Sequence, residues 1–195
     1  MSSRIYVISD THFGHEALVK HIKAHGQDEH PIRGQFATVK EMDDFIITQW
    51  NETVRQRDHV WHLGDVAMRK PYLQIVKQLH GHKTLIAGNH DIFDTKDYLN
   101  AGFANVRAMR VWENLLLTHI PVHQSSLKRF LANIHGHLHD KPTPGPDYIC
   151  VSCEAVSYTP VPVDSLLMLA SRRKQALIDR QFSAPLRITL GELSA

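Results

Sequence analysis

The chain has no apolar run near the ~20 residues a membrane-spanning helix needs, and its Ser2-Ser3-Arg4 start leads straight into a short apolar strand. A secretory leader has a basic, then long apolar pattern that is missing here, so a cytoplasmic protein with no membrane partner is expected. Cysteine is nearly absent. Cys150 and Cys153 stand three apart in a run that reads as a strand, where such positions face opposite ways, so separate reduced thiols are expected. No excess of charge appears either: 22 Lys and Arg against 20 Asp and Glu leave a net +2. That excludes the clustered basic surface of a nucleic-acid binder. The longest basic run, Arg172-Arg173-Lys174, falls at the polar end of an expected helix and reads as a solvated face. There is no internal repeat, low-complexity segment or linker. A single domain over residues 1–195 is therefore expected, with its core in 4–178 and a C-terminal tail in 179–195.

What the chain has in excess is histidine, 15 of 195 residues. Neutral imidazole is a common metal ligand, so the excess invites a metal. His21, His25, His30, His80 and His82 have no partner pattern and read as surface residues. Others recur in one arrangement: an apolar strand that stops at metal-binding or proton-moving side chains. The clearest is Leu85-Ile86-Ala87-Gly88-Asn89-His90-Asp91. Its glycine allows a sharp turn and a close approach, and the end of a strand is where open α/β folds collect ligands. Residues 4–9 end in Asp10-Thr11-His12, where positions two apart face the same way and can grip one ion; Asp10 as a helix cap is the competing reading. Residues 59–63 end in Gly64-Asp65, residues 115–118 in His119, and residues 133–135 in Gly136-His137-Leu138-His139.

Between these strands, a helix is expected over residues 15–24, then a loop over 25–37. Thr38-Val39-Lys40-Glu41 is a capping box opening a helix to about residue 54, with Met42, Phe45, Ile46, Trp50 and Val54 as its core face. Pro71 opens a second helix to Leu79. Residues 106–112, 148–152 and 155–158 read as further strands, 125–131 as a brief helix. Asp164 is expected to cap a helix running to about Leu177, with no clear period beyond Arg180.

Five strand ends thus offer Asp10, His12, Asp65, Asn89, His90, Asp91, His119, His137 and His139. In an α/β sheet they would gather at one edge. Seven or more oxygen and nitrogen donors exceed one ion's needs and suit two sharing a carboxylate. Without thiolates they fit Mn, Fe, Zn or Ni, not structural zinc.

Asp-x-His, Gly-Asp, Gly-Asn-His-Asp, His and Gly-His-x-His, in that order from Asp10 to His139, resemble the signature of the calcineurin-like metallophosphoesterases, most of all their small single-domain bacterial and phage type. The resemblance implies a four-layer α-β-β-α sandwich of two mixed sheets flanked by helices. It implies a binuclear centre of two divalent ions, manganese foremost. Asp10, His12, Asp65 and His139 would hold the first and Asp65, Asn89, His119 and His137 the second. A hydroxide shared by ions roughly 3.5–4 Å apart would attack the phosphorus. His90 would stabilise the phosphoryl charge or protonate the leaving oxygen, with Asp91 orienting its ring; a supporting role behind the ligands is the alternative.

The implied activity is hydrolysis of a phosphoester, with a diester of a small nucleotide-like molecule as the leading substrate. A broad phosphomonoesterase and a non-catalytic partner-binding scaffold of the same fold are the alternatives. Protein phosphatases of the superfamily carry Gly-Asp-x-x-Asp-Arg-Gly, whereas Val66-Ala67-Met68-Arg69-Lys70 follows Gly64-Asp65 here. Its repair nucleases carry an added capping domain that 195 residues leave little room for. Selectivity would fall to loops over the metals, first among them residues 25–37, where Arg33 either clamps a phosphate or is simply exposed. Arg69 is a second candidate for contact with substrate.

Overall fold

The computed structural model describes residues 2–20, 22–24, 27–29 and 32–183. The chain forms two mixed sheets face to face, flanked by helices, as the sequence led us to expect for an α/β protein. Strands β1 (Ile5–Ile8), β4 (His59–His62), β5 (His82–Ile86) and β6 (Phe103–Arg107) run parallel in the first sheet, with β11 (Val161–Pro162) antiparallel on the edge beside β1. The second sheet orders β10 (Tyr148–Cys150), β9 (Ala132–His135), β8 (Leu115–Leu117) and β7 (Arg110–Trp112); only β7 is antiparallel to its neighbour.

Alternation along the strands builds the layers. Tyr6 and Ile8 face outward with Val60 and Leu85, onto Met42, Ile46 and Trp50 of α2 (Val39–Thr53). Leu73 of a 3-10 helix, Lys70–Gln78, and Tyr98 of α3 (Thr95–Ala101) close the same layer. Val7, Trp61 and Ile86 point the other way and meet Leu115, Leu117, Ile134 and Ile149 of the second sheet. Val163, Leu166 and Ala170 of α4 (Val163–Ser183) seal this inter-sheet core. Leu116 faces outward with Leu127 of a short 3-10 helix, Gln124–Leu127. The sheets touch where β1 and β10 end: Ser9 bridges Ser152, donating to Val151 and accepting from Cys153.

The capping box forms, with Thr38 accepting from the Glu41 amide. Other expectations are corrected. The helix at residues 15–24 is one turn, α1 (Glu16–Val19), because β2 (Ile22–Ala24) and β3 (Gln27–Glu29) pair as a hairpin where a longer helix and a loop were expected. The surface placement of His21, His25 and His30 lies outside the described residues. His80 is half-buried and its Nδ1 meets the Val54 carbonyl, so it is no free surface residue. Phe45 is not core but 40% exposed. Residues 106–112 split between the sheets at Ala108 and Met109. Residues 155–158 are turn, and the closing strand is β11. Asp164 sits inside the first turn of α4, and the helix runs on to Ser183. Residues 184–195 of the expected tail lie outside the described residues. Cys150 and Cys153 are free thiols, the latter in a turn and not on the strand. Among the described residues, no helix is long and apolar enough to cross a membrane.

Candidate metal centre

Because β1, β4, β5, β8 and β9 are parallel within their sheets, their C-terminal ends deliver the donors to one edge of the sandwich. Asp10, His12 and His139 form one group and Asp65, His119 and His137 a second, the ligand atoms in each lying within 4.8 Å of one another. Asp65 Oδ2 lies 3.6 Å from His12 Nε2 and 3.3 Å from His119 Nε2, between the two groups. Asn89 joins the second group, its Oδ1 2.9 Å from His119 Nε2.

The backbone is bent to achieve this. Of the eight non-glycine residues with positive φ among those described, five are Asp10, His12, Asp65, His137 and His139. Each such left-handed residue costs about 1–3 kcal/mol, and such strain gathers at functional sites. The loops hold one another in register: Asp10 donates to the Gly64 carbonyl, His12 to that of Asp65. At Gly88 and Gly136 the approach is so close that a Cβ would strike Asp65 Oδ1 in one case and Ser9 Oγ and Asp10 Oδ2 in the other. That accounts for glycine just before each donor run.

The electrostatics call for a cation. Burial alone would raise the Asp10 carboxyl, but the His12 ring and the charges of His119 and His139 hold it well below the usual carboxylate range. Asp65 is likewise lowered: burial would raise it, but His119, the His90 amide and His12 together outweigh that. His12 is 2% exposed, and burial pushes it toward the neutral, ligating form. Neither of its ring nitrogens has a hydrogen-bond partner. A buried imidazole with both nitrogens orphaned is costly unless something fills the gap.

The other rings are aimed by second contacts. His119 Nδ1 sits 2.7 Å from the Leu63 carbonyl, and His139 Nδ1 3.0 Å from Glu154 Oε1. With Nδ1 donating there, each Nε2 is turned inward, toward Asn89 and Asp65 in one case and 3.8 Å from Asp10 in the other. Burial lowers both rings but their carboxylate partners raise them further, so Nε2 keeps a proton unless a metal ion takes its lone pair. Lone pairs facing lone pairs need a proton or a metal ion between them. The donor set, imidazole, carboxylate and amide without thiolate, fits hard to borderline divalent ions.

His90 and Asp91 part company. The His90 side chain is exposed, its ring 5.6 Å from that of His12, and its amide donates to Asp65 Oδ1 at 2.9 Å. Asp91 does not orient that ring. Its carboxylate accepts from the amides of Asp65, Val66 and Gly88, at 2.7, 3.0 and 2.8 Å, and so pins the β4 loop to the β5 loop.

Arg33 is neither a phosphate clamp nor exposed. It is fully buried, donating to the carbonyls of Asp10 and Thr11 and, at 2.7 Å, to Glu154 Oε1. Breaking such a buried pair costs about 3–5 kcal/mol, so Arg33 and Glu154 act as a fixed brace behind Asp10 and His139. Arg69 is turned to Glu16 at 3.6 Å and lies over the Tyr72 ring. Sequence reasoning missed Glu154, and Ser152, whose hydroxyl donates to Asp10 Oδ2 at 2.9 Å; neither follows a strand-glycine pattern that would have marked it. His15 was missed as well: its ring lies 5.3 Å from that of His12, and burial lowers it to about 4.

No family model matches the chain. It is 31% identical over 186 residues to the uncharacterized protein MJ1445 of Methanocaldococcus jannaschii, an alignment covering 88% of this chain and 93% of that one. It is 32% identical over 94 residues to the gene 66 protein of Mycobacterium phage L5, over 46% of this chain and 40% of the phage protein. Among solved structures, the Aquifex aeolicus protein of unknown function AQ665 shares the fold with a TM-score of 0.62 at 24% identity, covering 86% of this chain and 100% of that one.

Proposed function

The chain belongs to the family of the Methanocaldococcus jannaschii protein MJ1445, and from that premise and the geometry of its own site we propose that it is a two-metal phosphoester hydrolase of the calcineurin-like type. The observation that carries this is the Asp65 carboxylate set between two His/Asp groups, with lone pairs converging on it from both sides. Asp10, His12, Asp65 and His139 would hold one ion, and Asp65, Asn89, His119 and His137 the other, with Mn the first choice. Two such ions supply Lewis acidity, which activates water near neutral pH and neutralises charge on a phosphoryl group.

The chain's own part is to hold and to donate. Leu63 and Glu154 fix the ring faces of His119 and His139, and Arg33 with Ser152 fixes Asp10. His90, exposed at the rim beside His12, gives a hydrogen bond to a phosphoryl oxygen or a proton to the leaving oxygen. Asn89 and His90 are both exposed on that side, which suits a diester with groups on both ends, and a nucleotide-like diester is the substrate class we assign.

Chelator-treated protein should not hydrolyse bis(4-nitrophenyl) phosphate, and added Mn²⁺ should restore turnover. Full activity in the metal-free protein contradicts the proposal.

A further inference from the structure

A cleft of about 460 Å³ adjoins the donor cluster, lined by Ile32, Gln35, Phe36, Phe45, Asp140 and Tyr158. Glu154 is part of the same wall and also holds His139 Nδ1 at 3.0 Å, while Asp140 follows His139 in the chain. Glu154 and Asp140 thus join the wall of the cleft to the His139 side of the candidate metal centre.

Its walls are aromatic. Phe36, Phe45 and Tyr158 pack mutually with ring centroids 5.4 to 5.7 Å apart, Tyr158 nearly perpendicular to the other two. Phe36 and Tyr158 are buried, but Phe45 and Ile32 are 40% and 39% exposed. A single exposed apolar side chain is ordinary; two on one aromatic-walled cleft beside a polar centre form the kind of surface that binds a flat ring. The chain also bends to place Tyr158, since Ser157 and Tyr158 are consecutive residues at φ 51° and 60°. Arg33 lies over the Tyr158 ring, 5.6 Å from its centroid, and Gln35 donates to the Tyr158 hydroxyl.

The polar lining has a sign. Gln35 spends one N–H on Tyr158 and keeps its carbonyl oxygen, Ser157 adds a hydroxyl that can accept, and the exposed Asp140 offers a carboxylate. Among the described residues, no Lys or Arg lines the cleft. Acceptors at the lip of an apolar slot reject a phosphate and favour a ring bearing N–H donors.

We infer that this cleft is the subsite for an amino-bearing nucleobase, stacked against Phe45 and Ile32 with its amino group toward Asp140 and Gln35, while the phosphoester of the same molecule lies at the metal centre. Only the second half rests on the hydrolase reading; the ring site stands on its own lining. Base–aromatic stacking sets the size of the effect, roughly tenfold in affinity for one ring face.

Adenosine, which carries no phosphate, is the probe. Calorimetry on the full-length, metal-loaded protein should show it binding, purine riboside (no amino group) about tenfold more weakly, and Phe45→Ala and Ile32→Ala each weakening adenosine by about tenfold. Both side chains are part-exposed, and thermal melting confirms the variants fold. In parallel, the 4-nitrophenyl ester of AMP should be turned over with a higher kcat/KM than methyl 4-nitrophenyl phosphate, and Phe45→Ala should erase the preference. Adenosine affinity untouched by both substitutions, with the two esters hydrolysed equally, overturns the subsite and leaves the hydrolase reading intact. Substitution-sensitive adenosine binding with neither ester hydrolysed upholds the subsite and overturns the hydrolase reading.

Discussion

Asp65→Asn should lower bound metal from two ions per chain to one or none and reduce phosphodiester turnover by at least ~10²–10³-fold, the scale of losing one preorganised electrostatic group. Asparagine has the same shape, so the change is chemical and not steric. Asp65 Oδ1 receives the His90 amide at 2.9 Å, and an amide oxygen there can do the same. The other oxygen faces His12 Nε2 at 3.6 Å and His119 Nε2 at 3.3 Å. In the variant that position carries N–H groups, which point donors at the place where lone pairs converge and remove the charge shared by both groups. The fold should survive, because Asp91 still ties the amides of residues 65, 66 and 88. A variant that keeps two ions, counted by elemental analysis, removes Asp65 from the bridging role.

His90→Ala should do the opposite. Turnover should fall by about 10²–10⁴-fold, the range for a lost proton donor or acceptor, while the metal count stays at two. The residue's hydrogen bond to the donor groups comes from its backbone amide on Asp65, which alanine retains; its side chain is exposed at the rim and meets His12 only edge to edge. A leaving group that needs no proton, such as 4-nitrophenolate, should lose less than an alkoxide does. Loss of metal in His90→Ala would make His90 a ligand and require a different assignment.

The two variants differ because the donors were legible as a set and their supports were not. Asp10, Asp65, Asn89, His119 and His137 each follow an apolar strand at close range, often across a glycine, so local pattern alone marks them. Arg33 and Glu154 are 121 positions apart and meet only once the sheets close, so nothing local announced a buried pair, and a polar stretch with Gly34 read as an exposed loop. Asp91 beside His90 read as its partner, but the turn at Gly88 aims the carboxylate back at three amides.

The fold divides the same way. Strands with strict alternation, such as Tyr6-Val7-Ile8 shared between two cores, were visible. Helix α3 was not: it buries only Tyr98 and Ala101, too few apolar positions for a helical period to show. Residues 155–158 carry strand-like side chains, yet Ser157 and Tyr158 adopt left-handed backbone that no β-ladder accepts.

Crystals grown with Mn²⁺ and measured for anomalous scattering test the central claim most directly. The account predicts two peaks, one among Asp10, His12 and His139 and one among Asp65, His119 and His137, with Asp65 touching both. A single peak, or density elsewhere with these side chains still facing one another empty, contradicts it.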